Sequence, residues 1–282
     1  MDKRTLTIFF IIIISGVAYY LWQGREADLR SSLTISSTSE PSVQILKKDI
    51  DKLPRETPVA DSYNAARVEK LRDSIAPAIE KTIPLPDIDS SDEIFREDLE
   101  RLYNSLKPFE IFIFNDFARH VVVSIDNLTA KKLPQRFSFT TKPETQFMVH
   151  KSVDESEFTI DGDNYNRYGR YIDFANTVSI DDMLIFYLRY YPIFQQAYEE
   201  LGYPETKFNN RLIEVINHLL ETPVMYEEVR LIQPKVFYLF ADSSLENLSA
   251  GQKLLIRSGP ENTIRIKSIL KKLQFALLSL GI

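Results

Sequence analysis

The sequence predicts a mainly α protein: an N-terminal transmembrane helix, a flexible tether, and then a helical globular domain that carries a small β-hairpin. Three observations predict this. An uncharged apolar run fills most of the first 22 residues. Only 8 glycines stand against 14 prolines, with 18 Phe and 14 Tyr, which suits helices punctuated by proline better than the Gly-dense turns of an all-β barrel. Beyond residue 84, apolar residues recur at helical spacing through most of the chain. At 282 residues, 44% hydrophobic and 12% aromatic, the chain has ample material for a packed core.

Residues 1–23 read as the anchor. Lys3 and Arg4 precede an uncharged stretch from Leu6 to Trp22, which as a helix would rise roughly 26 Å, at the short end of what crosses a bilayer. Tyr19, Tyr20 and Trp22 cluster at its far end, where amphipathic rings favour the headgroup layer. Gly16-Val17-Ala18 offers a signal-peptide cleavage site as the competing reading, but the apolar run continues past it. Basic residues at the start favour an inside N-terminus, so the expected location is a single pass of the inner membrane with the globular domain in the periplasm. The expected contact with the membrane is through this helix alone.

Residues 24–83 read as a polar tether. Ser31-Ser32, Ser36-Ser37-Thr38-Ser39 and prolines 41, 54 and 58 interrupt any periodicity, and such a stretch reaches roughly 30–36 Å. Within it, Ala65, Val68, Leu71 and Ile75 mark a short amphipathic helix over 61–79.

The domain is expected over 84–282. Ser90-Ser91-Asp92-Glu93 has the form of a capping box, followed by Phe95 and Leu99 on one helix face. A second helix is expected from Pro108 to Thr129, with Phe114, Phe117, Val121, Ile125 and Leu128 inward. Phe147-Met148-Val149 and Phe158-Thr159-Ile160 flank a charged turn and predict the hairpin. Ile180, Leu184, Tyr187, Tyr191, Phe194, Tyr198 and Leu201 form a long stripe, with Pro192 predicting a kink and Gly202 a stop. Leu212, Val215, Ile216 and Leu219 form the next stripe. A short extended piece at Val229–Ile232 leads to Pro234 and a helix carrying Val236, Phe237 and Phe240. Gly259-Pro260 breaks and restarts the chain into a terminal helix with Ile266, Ile269, Leu270, Leu273 and Leu277 inward.

Charge and composition narrow the function. The formal net charge is −6, and residues 1–87 hold 12 basic and 12 acidic residues, so the acidic surplus lies in 88–282. A domain without a basic face is not expected to bind nucleic acid. Cysteine is absent, which removes disulfides, thiolate nucleophiles and iron–sulfur ligation.

Ser91-Asp92; Asp126-Asn127-Leu128; Asn164-Tyr165 with Arg167-Tyr168; Glu200-Leu201-Gly202-Tyr203-Pro204; Pro234, Val236 and Tyr238 with Phe240-Ala241-Asp242; Leu245-Glu246; and Lys253 with Arg257, Gly259, Glu261 and Asn262 follow one another in an order that resembles the bacterial family DUF3014, a domain of unknown function. The resemblance covers residues 84–280. It implies an envelope protein with an N-terminal membrane segment, and it supplies no reaction, cofactor or catalytic residue. At Ser258 it leads one to expect methionine or a similar apolar residue, which leaves the turn intact.

The remaining motifs are weighed on chemistry. No G-x-S-x-G elbow surrounds a serine, and His120, His150 and His218 stand in no nucleophile context. No Walker pattern, G-x-G-x-x-G or H-E-x-x-H occurs, so no cofactor, metal or catalytic residue is expected. Asp161-Gly162-Asp163-Asn164 has calcium-like oxygens, but Tyr165 takes the place of the third ligand and Ile172 that of the closing Glu; a turn with a helix cap is the reading.

Two sets of residues stay as candidate binding groups. Tyr165, Arg167 and Tyr168 combine rings and a guanidinium that could stack on a sugar or grip a carboxylate, although tyrosines spaced by three also suit a core with hydroxyls at its rim. Arg257, Glu261 and Asn262, with Asp242, surround a helix junction; an Arg–carboxylate lock between helices and an anion held at the helix start are the two readings. Elimination leaves a non-enzymatic, membrane-anchored interaction or scaffolding protein of the bacterial envelope, with an envelope protein as partner. A binding module for a small anionic or glycan ligand, and an envelope hydrolase using carboxylates alone, are the alternatives.

Overall fold

A computed structural model describes residues 84–103, 111–141, 143, 145–151, 158–177 and 179–280. Its helices are α1 (Asp92–Tyr103), α2 (Phe117–Asp126), α3 (Gly169–Thr177), α4 (Ile180–Glu200), α5 (Phe208–Leu220), the single turn α6 (Ser243–Glu246), α7 (Ala250–Arg257) and α8 (Pro260–Leu280). Strands β1 (Val149–Lys151), β2 (Phe158–Ile160), β3 (Arg230–Ile232) and β4 (Leu239–Phe240) form one antiparallel sheet in the order β1-β2-β3-β4.

Helix α4 is the axis of the helical body, because it buries more than one face. The expected stripe is there, with Leu184, Tyr187, Phe194 and Tyr198 buried, and Met183, Phe186, Tyr190, Ile193 and Ala197 are buried as well. Helices α2, α5 and α8 pack around it. Phe95 of α1 sits among Tyr190, Phe117, Phe194 and Phe186, with ring centres 4.4, 5.2, 5.7 and 5.9 Å away. The helix continues through Pro192, whose missing N–H removes one rung of the ladder, and stops where Gly202 takes φ 106°. Leu212, Val215, Ile216 and Leu219 of α5 and Ile266, Ile269, Leu270, Leu273 and Leu277 of α8 are buried as their spacing predicts. A second, smaller core of Ile160, Val229, Leu231, Phe240 and Ile256 lies under the sheet.

The fold class expected from the sequence needs correction. The structure is a helical domain with a four-stranded antiparallel sheet, where a two-stranded hairpin was the expectation. No helix among the described residues is long and apolar enough to cross a membrane. The run from Leu6 to Trp22, the tether and the amphipathic stretch 61–79 lie outside the described residues.

The sheet is larger because β3 and β4 join β2 from a distant part of the chain, and strands of two or three residues are too short to display alternation. The helix expected after Pro234 is a turn leading into β4, where Phe240 pairs with Leu231.

The second helix starts at Phe117 instead of Pro108. Ahead of it the backbone is extended and bound to a remote segment: Ile113 N–H donates to Phe139 O and Thr141 N–H to Ile111 O, both at 2.8 Å. The capping box also resolves differently. Ser90 and Ser91 turn their hydroxyls back onto Asp87 O and Ile88 O, at 3.2 and 2.7 Å, because a 3-10 turn over Ile88–Ser90 precedes α1. Asp92 caps a different helix: its carboxylate accepts the N–H groups of Asp116 and Phe117, each at 2.8 Å, at the start of α2.

Candidate functional site

The chain from Asp161 to Tyr168 builds the first half of the site. Asp161 caps a 3-10 helix over Gly162–Tyr168 by accepting Asp163 N–H at 2.9 Å, so the turn-and-cap reading of Asp161-Gly162-Asp163-Asn164 is the observed one. Asn164, fully buried, faces the segment that leads into β1. Its Oδ1 accepts Met148 N–H at 2.9 Å, while its Nδ2 donates to Met148 O and to Asp161 O. An amide side chain thus satisfies one backbone residue in both directions, as a neighbouring strand would.

Arg167 extends the same attachment. It is partly exposed, donates Nε–H to Thr145 O at 3.1 Å, and lies over the Phe147 ring at 5.8 Å. Tyr168 is buried and holds its ring beneath the same guanidinium at 5.6 Å. Burial pushes the Tyr168 hydroxyl up to about 12, against the opposing pull of Arg167 and Arg257. The phenol is therefore neutral at ordinary pH.

The α7–α8 junction supplies the second half. Ser249 starts α7 with a full capping box: its Oγ accepts Gln252 N–H and its own N–H donates to Gln252 Oε1, both at 3.2 Å. His218 Nε2 lies 2.8 Å from Ser249 Oγ, but a buried hydroxyl already accepting a helix N–H is a cap and not a nucleophile. At the other end of α7, Arg257 is 8% exposed. Burial holds its pKa below the usual arginine value, while Tyr168 and Glu246 act the other way.

Arg257 donates Nη2–H to Tyr238 O at 2.9 Å and lies over the rings of Phe240 and Phe147, at 5.0 and 5.7 Å. Glu246, on α6, accepts Phe240 N–H at 2.9 Å and pairs with the buried Lys253 at 2.8 Å. Gly259 follows with φ 90°, and the Tyr165 ring packs on it so closely that a Cβ there would lie 2.6 Å from ring carbons. Asn262 closes the junction by donating Nδ2–H to Tyr165 O at 3.1 Å and to Ser258 O at 2.9 Å.

The two candidate sets therefore form one cluster. Tyr165, Arg167, Tyr168, Arg257 and Asn262 converge, with Arg167 and Arg257 sharing Phe147; Glu261 stays exposed on the first turn of α8. Asp242 is elsewhere, capping α6 through Ser244 N–H at 2.7 Å. The Arg–carboxylate lock expected for Arg257 is replaced by an Arg–carbonyl bond. Asn164 was read from the sequence as part of a turn and cap, not as a binding residue; Phe147 and Glu246 were not read as site residues, and nothing in the sequence marks them as such.

Chemically, the cluster is a lock. Its polar atoms hold the backbone at Thr145, Met148, Tyr238 and Phe240, and so fasten both edges of the sheet to the helical body. The fold and this lock define an α-rich domain whose small sheet is pinned by buried side chains. A family model described as "Protein of unknown function (DUF3014)" matches residues 117–274, more than half of the chain, and the protein belongs to that family. No curated protein and no solved structure matches the chain.

Proposed function

We propose that the protein is a non-enzymatic interaction module that binds another protein. The observation that carries this reading is the use made of the polar residues: Tyr168, Arg257 and Asn262 are buried, and Arg257 and Asn262 donate to the domain's own backbone. Three of the groups from which a sugar- or carboxylate-gripping cleft would be assembled are thus taken up inside the fold, and the half-buried Arg167 donates to the backbone at Thr145. The surface keeps large side chains of the kind that anchor protein partners. Tyr203 is 43% exposed and held rigid by stacking on Tyr198 at 4.8 Å, beside the exposed Leu201.

The test is photo-crosslinking in the native cells, with a photoreactive residue placed singly in the full-length protein at His150, Tyr203 or Glu97, all exposed. A discrete protein adduct at one of the first two positions and none at Glu97 is the expected result. The reading is overturned if no position gives an adduct while the purified protein is stabilised in thermal-shift assays by a glycan or small anion.

A further inference from the structure

We infer that the outer edge of β1 takes up an extended segment of a partner protein by antiparallel strand addition, continuing the antiparallel sheet, and that it selects a segment with an acidic residue followed two positions later by an apolar one. This rests on the reading of the domain as a protein-binding module.

The direction of the backbone groups follows from the ladder. Ile160 N–H donates to Val229 O at 3.2 Å, toward β3, so Val149, which faces Ile160 across β1 and β2, directs its own N–H and C=O away from the sheet. Lys151, two residues on, does the same. Neither backbone meets a hydrogen-bonding partner on that side among the described residues.

The opposite edge is partly blocked. On β4 the outward groups include Phe240 N–H and, just before the strand, Tyr238 C=O; Glu246 accepts from the first and Arg257 donates to the second, each at 2.9 Å. One edge is thus blocked at two groups by the protein's own side chains, as exposed sheet edges commonly are, and the other meets no partner among the described residues. The open edge is also held in place. Asn164 pins Met148 and Arg167 pins Thr145, so the segment entering β1 is extended before any partner arrives, which lowers the entropic cost of pairing.

Side chains set the selectivity. Val149 packs toward the small core, and Lys151, on the same side of the sheet, lies over the Phe158 ring at 5.9 Å with its residue exposed. His150 and Thr159 point to the other side. An antiparallel added strand would set one side chain beside Lys151 and the next but one beside Val149. The first position faces an ammonium group and the second extends an apolar core. A lysine on an edge discourages indiscriminate pairing, and opposite an acid it becomes a discriminator.

The probe is a fluorescein-labelled, amidated heptapeptide, Thr-Thr-Glu-Thr-Val-Thr-Thr, titrated against the full-length protein by anisotropy, with hydrogen exchange read at the Val149 and Lys151 amides. Val149→Pro removes an outward N–H and exchanges the Val149 side chain for the proline ring while leaving the β1–β2 ladder bonds in place, and its fold is checked by urea unfolding. The expected result is saturable binding that protects both amides, weakened about tenfold or more by Val149→Pro and by Lys151→Glu. A peptide with Lys in place of Glu should bind Lys151→Glu better than the wild type.

Absence of binding, or equal affinity for all three proteins, overturns the inference. A dimer of the full chain that Val149→Pro abolishes would assign the edge to a second copy and overturn the acidic-segment inference. If the photo-crosslinked adduct persists in Val149→Pro, the module reading stands and the edge inference falls; if the wild type yields no adduct and a glycan or small anion stabilises it, the module reading itself falls.

Discussion

Gly259→Ala isolates the packing of the α7–α8 junction, where two separate penalties meet. The first is conformational. At φ 90° a residue with a Cβ is strained by about 1–2 kcal/mol. The second is steric: the new methyl would sit 2.6 Å from Cγ and Cδ1 of Tyr165, near the root of the ring, where the side chain cannot swing aside, and such overpacking costs about 1–3 kcal/mol. The substitution should therefore cost about 2–5 kcal/mol in total. Tyr165→Ala removes the ring and leaves the backbone strain. In that background Gly259→Ala should cost only about 1–2 kcal/mol. Urea unfolding of the four full-length proteins measures the cycle, provided the slope with denaturant stays constant. Equal cost in both backgrounds, within about 0.5 kcal/mol, would refute the packing argument and leave only backbone strain.

Removing the cap that Asp92 provides across to α2 strands two backbone N–H groups, so Asp92→Ala should lose about 1–2 kcal/mol by urea unfolding, with fastest exchange appearing at the Asp116 and Phe117 amides. Ser249→Ala breaks the capping box of α7 and should cost about 1 kcal/mol in the same assay. Tyr168 links stability to alkaline pH: its folded pKa of about 12 lies above the ordinary value of 10.0, so the unfolded chain loses the proton first and stability falls as pH rises from 10 toward 12. Its share of the loss reaches about 2 kcal/mol at the upper end, and Tyr168→Phe should remove that share while the part owed to other buried tyrosines such as Tyr187 and Tyr190 remains.

Legibility in the sequence divides by the range of the interaction involved. Helices α4, α5 and α8 were readable because each writes its buried stripe in consecutive residues, and Gly202 and Gly259-Pro260 mark stops through their own backbone preferences. The β1–β2 hairpin was readable from two apolar triplets flanking a charged turn, although β1 begins at Val149, the last residue of the first triplet. The start of α2 was not, since Ile111–Phe114 is apolar in a pattern that fits helix or strand, and the choice is made by Phe139 and Thr141 nearly thirty residues away. Strand β4 was misread because Pro234 suits the first turn of a helix, while the pairing of Phe240 with Leu231 is visible only in three dimensions. At the site, five of the six candidate residues named from the sequence belong to the cluster, but they were read as two groups. What joins them is a ring shared by Arg167 and Arg257, and a bond from Asn262 to the carbonyl of Tyr165. A backbone carbonyl has no residue identity, so no sequence pattern announces it as a partner.

That same fact bears on why so many polar residues gather here. Strands of two or three residues offer few ladder bonds, and the five buried apolar residues beneath the sheet form a core far smaller than that of the helical body. A sheet so small is marginal by itself. Its extended segments are held by side chains that take the place of missing strands: Asn164 and Arg167 on the segment before β1, Arg257 and Glu246 on the segment around β4. Each bond costs the burial or ordering of a polar group, and what it secures is backbone position instead of an exposed side chain. Residues that look like a binding site in sequence thus serve as the frame of one, and the surface they hold in readiness is the backbone of β1. The contrast between a β4 edge blocked at two groups by charged side chains and a β1 edge that meets no partner among the described residues has the same origin, because the frame fixes both edges and blocks only one.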